Sequence, residues 1–219
     1  MAQDKHSVFV TGGTGFMGRL LIATLLGRGH QVKALVREGS QHKLPAGTPA
    51  AVGDPLSADS IASHLAPADT FVKLVGVAHP NPSKAGEFRA IDRTAGYAGA
   101  EAAARSGVRH FIYVSVAHPA PVMRAYIVAR SEVEAHIHRL GLNATILRPW
   151  YVLGPGRRWP ILLQPIYGFL SPFPLTRAIA NRLGLVTDAQ MNAALVRAVE
   201  IPVQGVRIVE VPQTRQSTL

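Results

Sequence analysis

Four glycines fall within seven positions of the stretch Thr11-Gly12-Gly13-Thr14-Gly15-Phe16-Met17-Gly18, which directly follows the apolar run SVFV. Such a stretch leaves main-chain amides bare. At the start of a helix, bare amides bind phosphate, because the free N–H groups and the positive end of the helix dipole point the same way. The spacing Gly13-x-Gly15-x-x-Gly18 has a mechanical reason for each glycine, in turn a tight bend, backbone contact with a diphosphate, and close packing of helix on strand. Thr11, Gly12, Thr14, Gly15, Phe16 and Met17 are therefore candidate contacts to a dinucleotide. A nucleoside-triphosphate loop is disfavoured, since Arg19 and Leu20 follow Gly18 where Lys and then Ser or Thr are required. About twenty residues on, a second apolar run ends at Arg37. An acid at that place accepts hydrogen bonds from a free ribose 2′-hydroxyl, whereas a cation suits a 2′-phosphate. Arg37 thus points to NADP(H), with Ser40 adding a hydroxyl.

A loop of this kind works only where a strand delivers it and a helix receives it. Short apolar runs at 7–11, 31–36, 71–76, 110–115 and 144–147 alternate with segments of helical spacing at Met17–Arg28, Ser57–Leu65, Phe88–Ser106 and Arg124–Leu140. Gly29, Gly107 and Gly141 are placed to stop three of these helices. The alternation predicts an α/β fold, a Rossmann-type doubly wound parallel sheet, as one domain over residues 1–219. After Pro149 the rhythm breaks. Residues 150–175 are rich in Pro, Gly and aromatics, and the prolines and Gln164 argue against a membrane span, so 150–185 is expected to cap a substrate. A helix is expected over 188–200 and a strand over 205–211.

Composition narrows the function. The chain has 219 residues, 47% apolar and 16% charged, which excludes a disordered protein. It has no Cys, so disulfides, thiolate metal sites and Cys nucleophiles are excluded, and the histidines show no metal-ligand spacing with carboxylates. The net charge of +10 comes from cations scattered singly, Arg157-Arg158 being the one adjacent pair, so a nucleic-acid partner is not expected. The N-terminus lacks the long apolar core of a signal peptide, and a cytoplasmic protein is expected.

Over residues 7 to 155 the sequence resembles the extended and atypical short-chain dehydrogenase/reductase superfamily, in its NAD(P)H-binding branch, which includes NmrA-like proteins and relatives of a complex I accessory subunit. Thr11, Gly12, Gly15 and Gly18 match the family's T-G-x-x-G-x-x-G. By this resemblance Asp54 and Pro55, in Gly53-Asp54-Pro55, meet the adenine, and Val75, Gly76 and Val77 pass along the ribose. Pro149 and Tyr151, in LRPWYVLGPG, reach the nicotinamide end.

The same resemblance implies a catalytic Tyr with a Lys four residues on, preceded by a Ser at the end of strand five. The matching residues here are Ser115, Tyr126 and Arg130, with Arg where the family has Lys. Positions i and i+4 share a helix face, so Tyr126 and Arg130 can address one cofactor. A cation beside Tyr126 is expected to lower its pKa, but guanidinium cannot relay a proton as an amine can. His79 and His118 are further pocket candidates, while Asp92 and Glu87 are expected as helix-surface charges. Three functions stay open: an NADP(H)-dependent oxidoreductase of a small hydrophobic carbonyl, alcohol or enone substrate; a non-catalytic NAD(P)H sensor or assembly factor; and a peripheral membrane protein using Arg157, Arg158 and Trp159. Trp150, Tyr151, Trp159, Tyr167, Phe169 and Phe173 supply the apolar lining in the first of these.

Overall fold

Continuous apolar runs in sequence become central strands of a parallel sheet, because both faces must be covered. The computed structural model describes residues 4–78, 80–120, 122–154 and 182–219. Its main strands are β1 (Ser7–Thr11), β2 (Gln31–Val36), β3 (Ala50–Val52), β4 (Thr70–Lys73), β5 (His110–Val114), β6 (Ala144–Leu147) and β9 (Val206–Val209). These seven line up in the order β3-β2-β1-β4-β5-β6-β9. Every pairing is parallel, with Val10 opposite both Ala34 and Val72 and Tyr113 opposite both Lys73 and Ile146. Strand order reverses beside β1, and the crevice at that reversal is where a doubly wound sheet binds ligands. Beyond β6, β7 (Tyr151–Leu153) pairs in parallel with β8 (Leu185–Thr187) in a small second sheet.

The connecting helices are α1 (Phe16–Gly27), α2 (Ala58–Leu65), a single turn α3 (Ala85–Glu87), α4 (Thr94–Arg105), α5 (Arg124–Arg139), α6 (Asp188–Glu200) and α7 (Val211–Arg215). Between α3 and α4 the chain widens into a π-helical segment, Phe88–Arg93. One apolar cluster fills the face under α1 and α6, from Val8, Val10 and Ile22 to Leu195 and Val199. A second, built on Phe9, Phe71, Phe111, Ile137 and Ile146, lies under α2, α4 and α5. Gly29, Gly107 and Gly141 take positive φ just after α1, α4 and α5, the stops anticipated for them.

Most of the expected capping segment, with Arg157, Arg158, Trp159, Tyr167, Phe169 and Phe173, lies outside the described residues, as does His79. Among the described residues no helix is long and apolar enough to cross a membrane.

Candidate active site

The glycine turn is built by close approach. Gly12 sits at φ +82°, and a Cβ there would stand 2.7 Å from the Leu74 carbonyl carbon, so the loop leaving β4 can lie directly on the turn. A Cβ on Gly18 would overlap the Gly12 carbonyl oxygen, and one on Gly13 would meet Ile22 at 2.8 Å. Gly15 differs: a Cβ there would touch just the Gly12 oxygen, at 3.3 Å, and its residue is exposed. Gly15 is also the N-cap of α1, with no side-chain cap and no acid in the first turn. Among the described residues the first turn of α1 thus has neither a side-chain cap nor an acid of its own beside its free amides, which fits a diphosphate. Thr11 is buried at the end of β1 with a hydroxyl that has no hydrogen-bond partner among the described residues, Thr14 is half-buried, Met17 packs on the apolar core, and a Cβ on Gly154 would stand 2.9 Å from the Phe16 ring.

The other expected contacts border the same crevice. Arg37 directly follows β2, exposed and without an ion pair among the described residues. Asp54 follows β3 in Gly53-Asp54-Pro55, and its Oδ1 accepts the Leu56 N–H at 2.9 Å. Val75, Gly76 and Val77 leave the end of β4, and the Leu74 N–H is bonded to the Thr11 carbonyl at 2.9 Å. Pro149 is buried after β6, its carbonyl accepting the Ala117 N–H at 2.9 Å, and Tyr151 opens β7.

Along α5, Tyr126, Arg130 and Glu134 follow one another at four-residue steps and so share a face. Arg130 is buried, its guanidinium 5.0 Å from the Tyr126 ring centre and 5.8 Å from that of Tyr113. Its Nη1 donates to the Val114 carbonyl and its Nη2 to Asp92 Oδ1. Asp92, expected on a helix surface, is instead fully buried, and its second oxygen accepts the Val77 N–H at 3.1 Å. The reason is visible in the spacing: Phe88, Asp92, Ala95, Gly99 and Ala102 form one buried stripe, and a carboxylate on such a stripe must find a partner. That pattern was a signal for Asp92. Glu87 is exposed, as expected.

Tyr126 leans on Phe88, ring centres 4.9 Å apart. Its phenol is shifted up, not down, because burial outweighs the opposing pull of Arg130. The lowered pKa expected from the cation alone is thereby corrected: the cation is already paired with Asp92, and burial disfavours the phenolate. Ser115 is buried at the end of β5, but its hydroxyl donates to Glu134, and no hydrogen bond joins it to Tyr126 among the described residues. Glu134 in turn takes two bonds from Arg148, which also donates to Glu210 at 2.9 Å, and His118 lies 3.6 Å from the same carboxylate.

Lys73 carries no signal in the sequence, lying inside the run 71–76, yet it is fully buried at the end of β4. Its amine donates to the Val75 carbonyl at 2.7 Å, and burial, with the Arg130 charge nearby, holds it well below the usual lysine range. No group of three metal-ligating side chains occurs among the described residues.

Comparison with known proteins agrees with the fold. The family model described as NAD(P)H-binding matches residues 12–158. A ceramide reductase of Caulobacter vibrioides is 27% identical over 222 residues, covering 99% of this chain and 68% of the relative. The 3 beta-hydroxysteroid dehydrogenase/Delta 5→4-isomerase of Mycobacterium tuberculosis is 37% identical over 127 residues, 52% of this chain and 33% of the relative. Among solved structures, the Bordetella bronchiseptica enzyme WbmH in complex with NAD+ superposes with a TM-score of 0.69 at 18% identity, covering 96% of this chain and 79% of that one. A UDP-galactose 4-epimerase does so at 0.68 and 18% identity, covering 96% and 81%. At these identities the structural likeness establishes the fold.

Proposed function

This chain belongs to the NAD(P)H-binding family of short-chain dehydrogenase/reductase proteins, and from that premise we propose an NADP(H)-dependent oxidoreductase acting on a hydrophobic carbonyl, alcohol or enone. The observation that carries the reading is the open first turn of α1 below Gly15, at the reversal of strand order. The phosphates would lie on the amides of that turn, with Arg37 placed for a 2′-phosphate. WbmH holds NAD+, so the preference for NADP(H) rests on Arg37 alone. The lipid-like substrate class is supported by the names of the two relatives, a ceramide reductase and a steroid dehydrogenase.

When bound, the nicotinamide supplies or accepts hydride. Tyr126 would move the accompanying proton: its hydroxyl gives a proton to a carbonyl oxygen in reduction and is left as tyrosinate, and in oxidation the tyrosinate takes the alcohol proton. Burial shifts that phenol upward, which favours its proton-donating form. Arg130 holds the ring by its guanidinium face and cannot itself pass the proton on.

A second reading, a dinucleotide sensor without turnover, draws on a specific contact: the Ser115 hydroxyl is given to Glu134 instead of a substrate oxygen. NADPH oxidation measured over a panel of apolar ketones, enones and quinones separates the two. Turnover that falls by at least about a hundredfold in Tyr126→Phe supports the oxidoreductase. Equal rates in variant and parent remove Tyr126 from the mechanism, and tight coenzyme binding without consumption of any substrate favours the sensor.

A further inference from the structure

His118 stands in the loop that leaves β5, and a hydrogen bond on either side of it holds that loop. The Ala117 N–H is bonded to the Pro149 carbonyl at 2.9 Å, and the Pro119 carbonyl accepts from Arg182 Nη1 at 3.4 Å. The imidazole turns Nε2 toward Glu134 Oε1, 3.6 Å away, and that nitrogen is buried. Glu134 is itself firmly held. It accepts from Ser115 Oγ, from Arg148 Nε at 3.1 Å and from Arg148 Nη2, while Arg148 Nη1 is anchored on Glu210 at 2.9 Å.

A carboxylate fixed by three donors stays an acceptor. A neutral imidazole carries a proton on one nitrogen and a lone pair on the other. At 3.6 Å ring and carboxylate are beyond a direct hydrogen bond, yet the negative charge favours an N–H over a lone pair on the nitrogen that faces it. The proton thus belongs on Nε2, which leaves Nδ1 as an acceptor. The ring keeps 23% of its side-chain surface exposed, to which the buried Nε2 adds little, and among the described residues nothing bonds Nδ1.

The carboxylate oxygen that faces His118 also takes the Ser115 hydroxyl, so ring and hydroxyl stand side by side at the carboxyl end of β5. The substrate's reacting oxygen is expected beside Ser115 and Tyr126, and an acceptor next to Ser115 then reaches what the substrate carries on the neighbouring carbon. We propose, on the oxidoreductase reading above, that His118 Nδ1 is a specificity-determining acceptor for a hydroxyl or amide N–H next to the reacting carbonyl. The substrate class is thereby narrowed from apolar ketones in general to long-chain ketones with a hydrogen-bond donor beside the carbonyl. A ketone without that donor strips water from Nδ1 and returns no bond, which is how a polar atom in a site discriminates.

The test compares a long-chain ketone bearing an acetamido group on the adjacent carbon with the same ketone lacking it, by kcat/KM for NADPH oxidation. The parent is expected to prefer the acetamido ketone on the order of tenfold. His118→Phe, which keeps a flat ring without an acceptor, is expected to bring the ratio close to one. His118→Asn, whose side-chain oxygen falls near the place of Nδ1, is expected to keep most of the preference, a rescue that a merely structural role for the ring would not produce. Nitrogen NMR of the imidazole, assigned by the signals lost in His118→Phe, needs no turnover and is expected to show Nε2 protonated and Nδ1 bare in mildly alkaline solution. Equal kcat/KM for the two ketones in the parent, a ratio unchanged in His118→Phe, or a proton on Nδ1 each overturn the proposal and leave the oxidoreductase reading in place. A parent that binds neither NADPH nor NADH removes that reading and the proposal with it.

Discussion

Arg37 and Arg130 are the same residue type turned to opposite uses by burial. Arg130 is enclosed, its terminal amines spent on Asp92 and Val114, while Arg37 stands exposed after β2 with its guanidinium uncommitted among the described residues. A charge-assisted contact to a 2′-phosphate contributes about 1.5–3 kcal/mol, a factor of roughly ten to a hundred in affinity. Glu38, the next residue and also exposed, works against a phosphate and places the expectation nearer the lower bound. In Arg37→Ala, the NADPH dissociation constant measured by calorimetry is expected to rise about tenfold or more, with NADH binding little changed. A ratio of the two constants equal to the parent's would remove Arg37 from coenzyme selection.

At the scale of elements, the turn between β1 and α1 separates folding from binding. Gly18 and Gly15 are three residues apart in one motif, but their surroundings differ. A methyl group on Gly18 collides with the Gly12 main chain, whereas one on Gly15 points where the phosphates would lie. Gly18→Ala is therefore expected to destabilise the protein by about 1–3 kcal/mol, read as a fall in denaturant midpoint. Gly15→Ala is expected to keep the parent's midpoint and to weaken coenzyme binding at least about tenfold. Parent-like coenzyme affinity in Gly15→Ala would move the phosphates elsewhere. The motif itself is legible in the sequence because each glycine answers to local geometry. So are the central strands, each a continuous apolar run, and the helices of α/β alternation. What the sequence leaves unread comes from contacts between distant segments. The run 71–76 reads as one strand, yet β4 ends at Lys73 because the chain must leave the sheet there to cross over Gly12. Asp92 and Arg130 lie 38 positions apart, and neither residue alone announces the pair. Ser115 stands at the end of its strand, as its position in the run implies, but its orientation toward Glu134 depends on a helix that begins nine residues later.

For the molecule as a whole, histidines buried neutral set how it responds to acid. His110 opens β5 with no exposed surface, its Nε2 3.0 Å from Thr145 Oγ1, and burial brings its pKa down to about 4. His30, buried at the start of β2, is also lowered, since burial exceeds the pull of Glu200 3.3 Å away. In the unfolded chain both titrate near their ordinary value of about 6.5. Below that pH the unfolded state binds protons that the folded state refuses, so stability rises with pH across this window and falls as pH drops through it. For His110 the window runs from about 6.5 down to about 4, and full passage through it costs up to about 3 kcal/mol. The net charge of +10, which grows as the pH falls, adds repulsion of the same sign. Urea midpoints taken from about pH 7 to pH 4.5 are expected to decline steadily. In His110→Gln, which retains a polar group toward Thr145 but cannot take up a proton, the midpoints are expected to decline less steeply. Equal slopes for the two proteins would mean that His110 is protonated within the fold, contrary to its sealed place between β4 and β6.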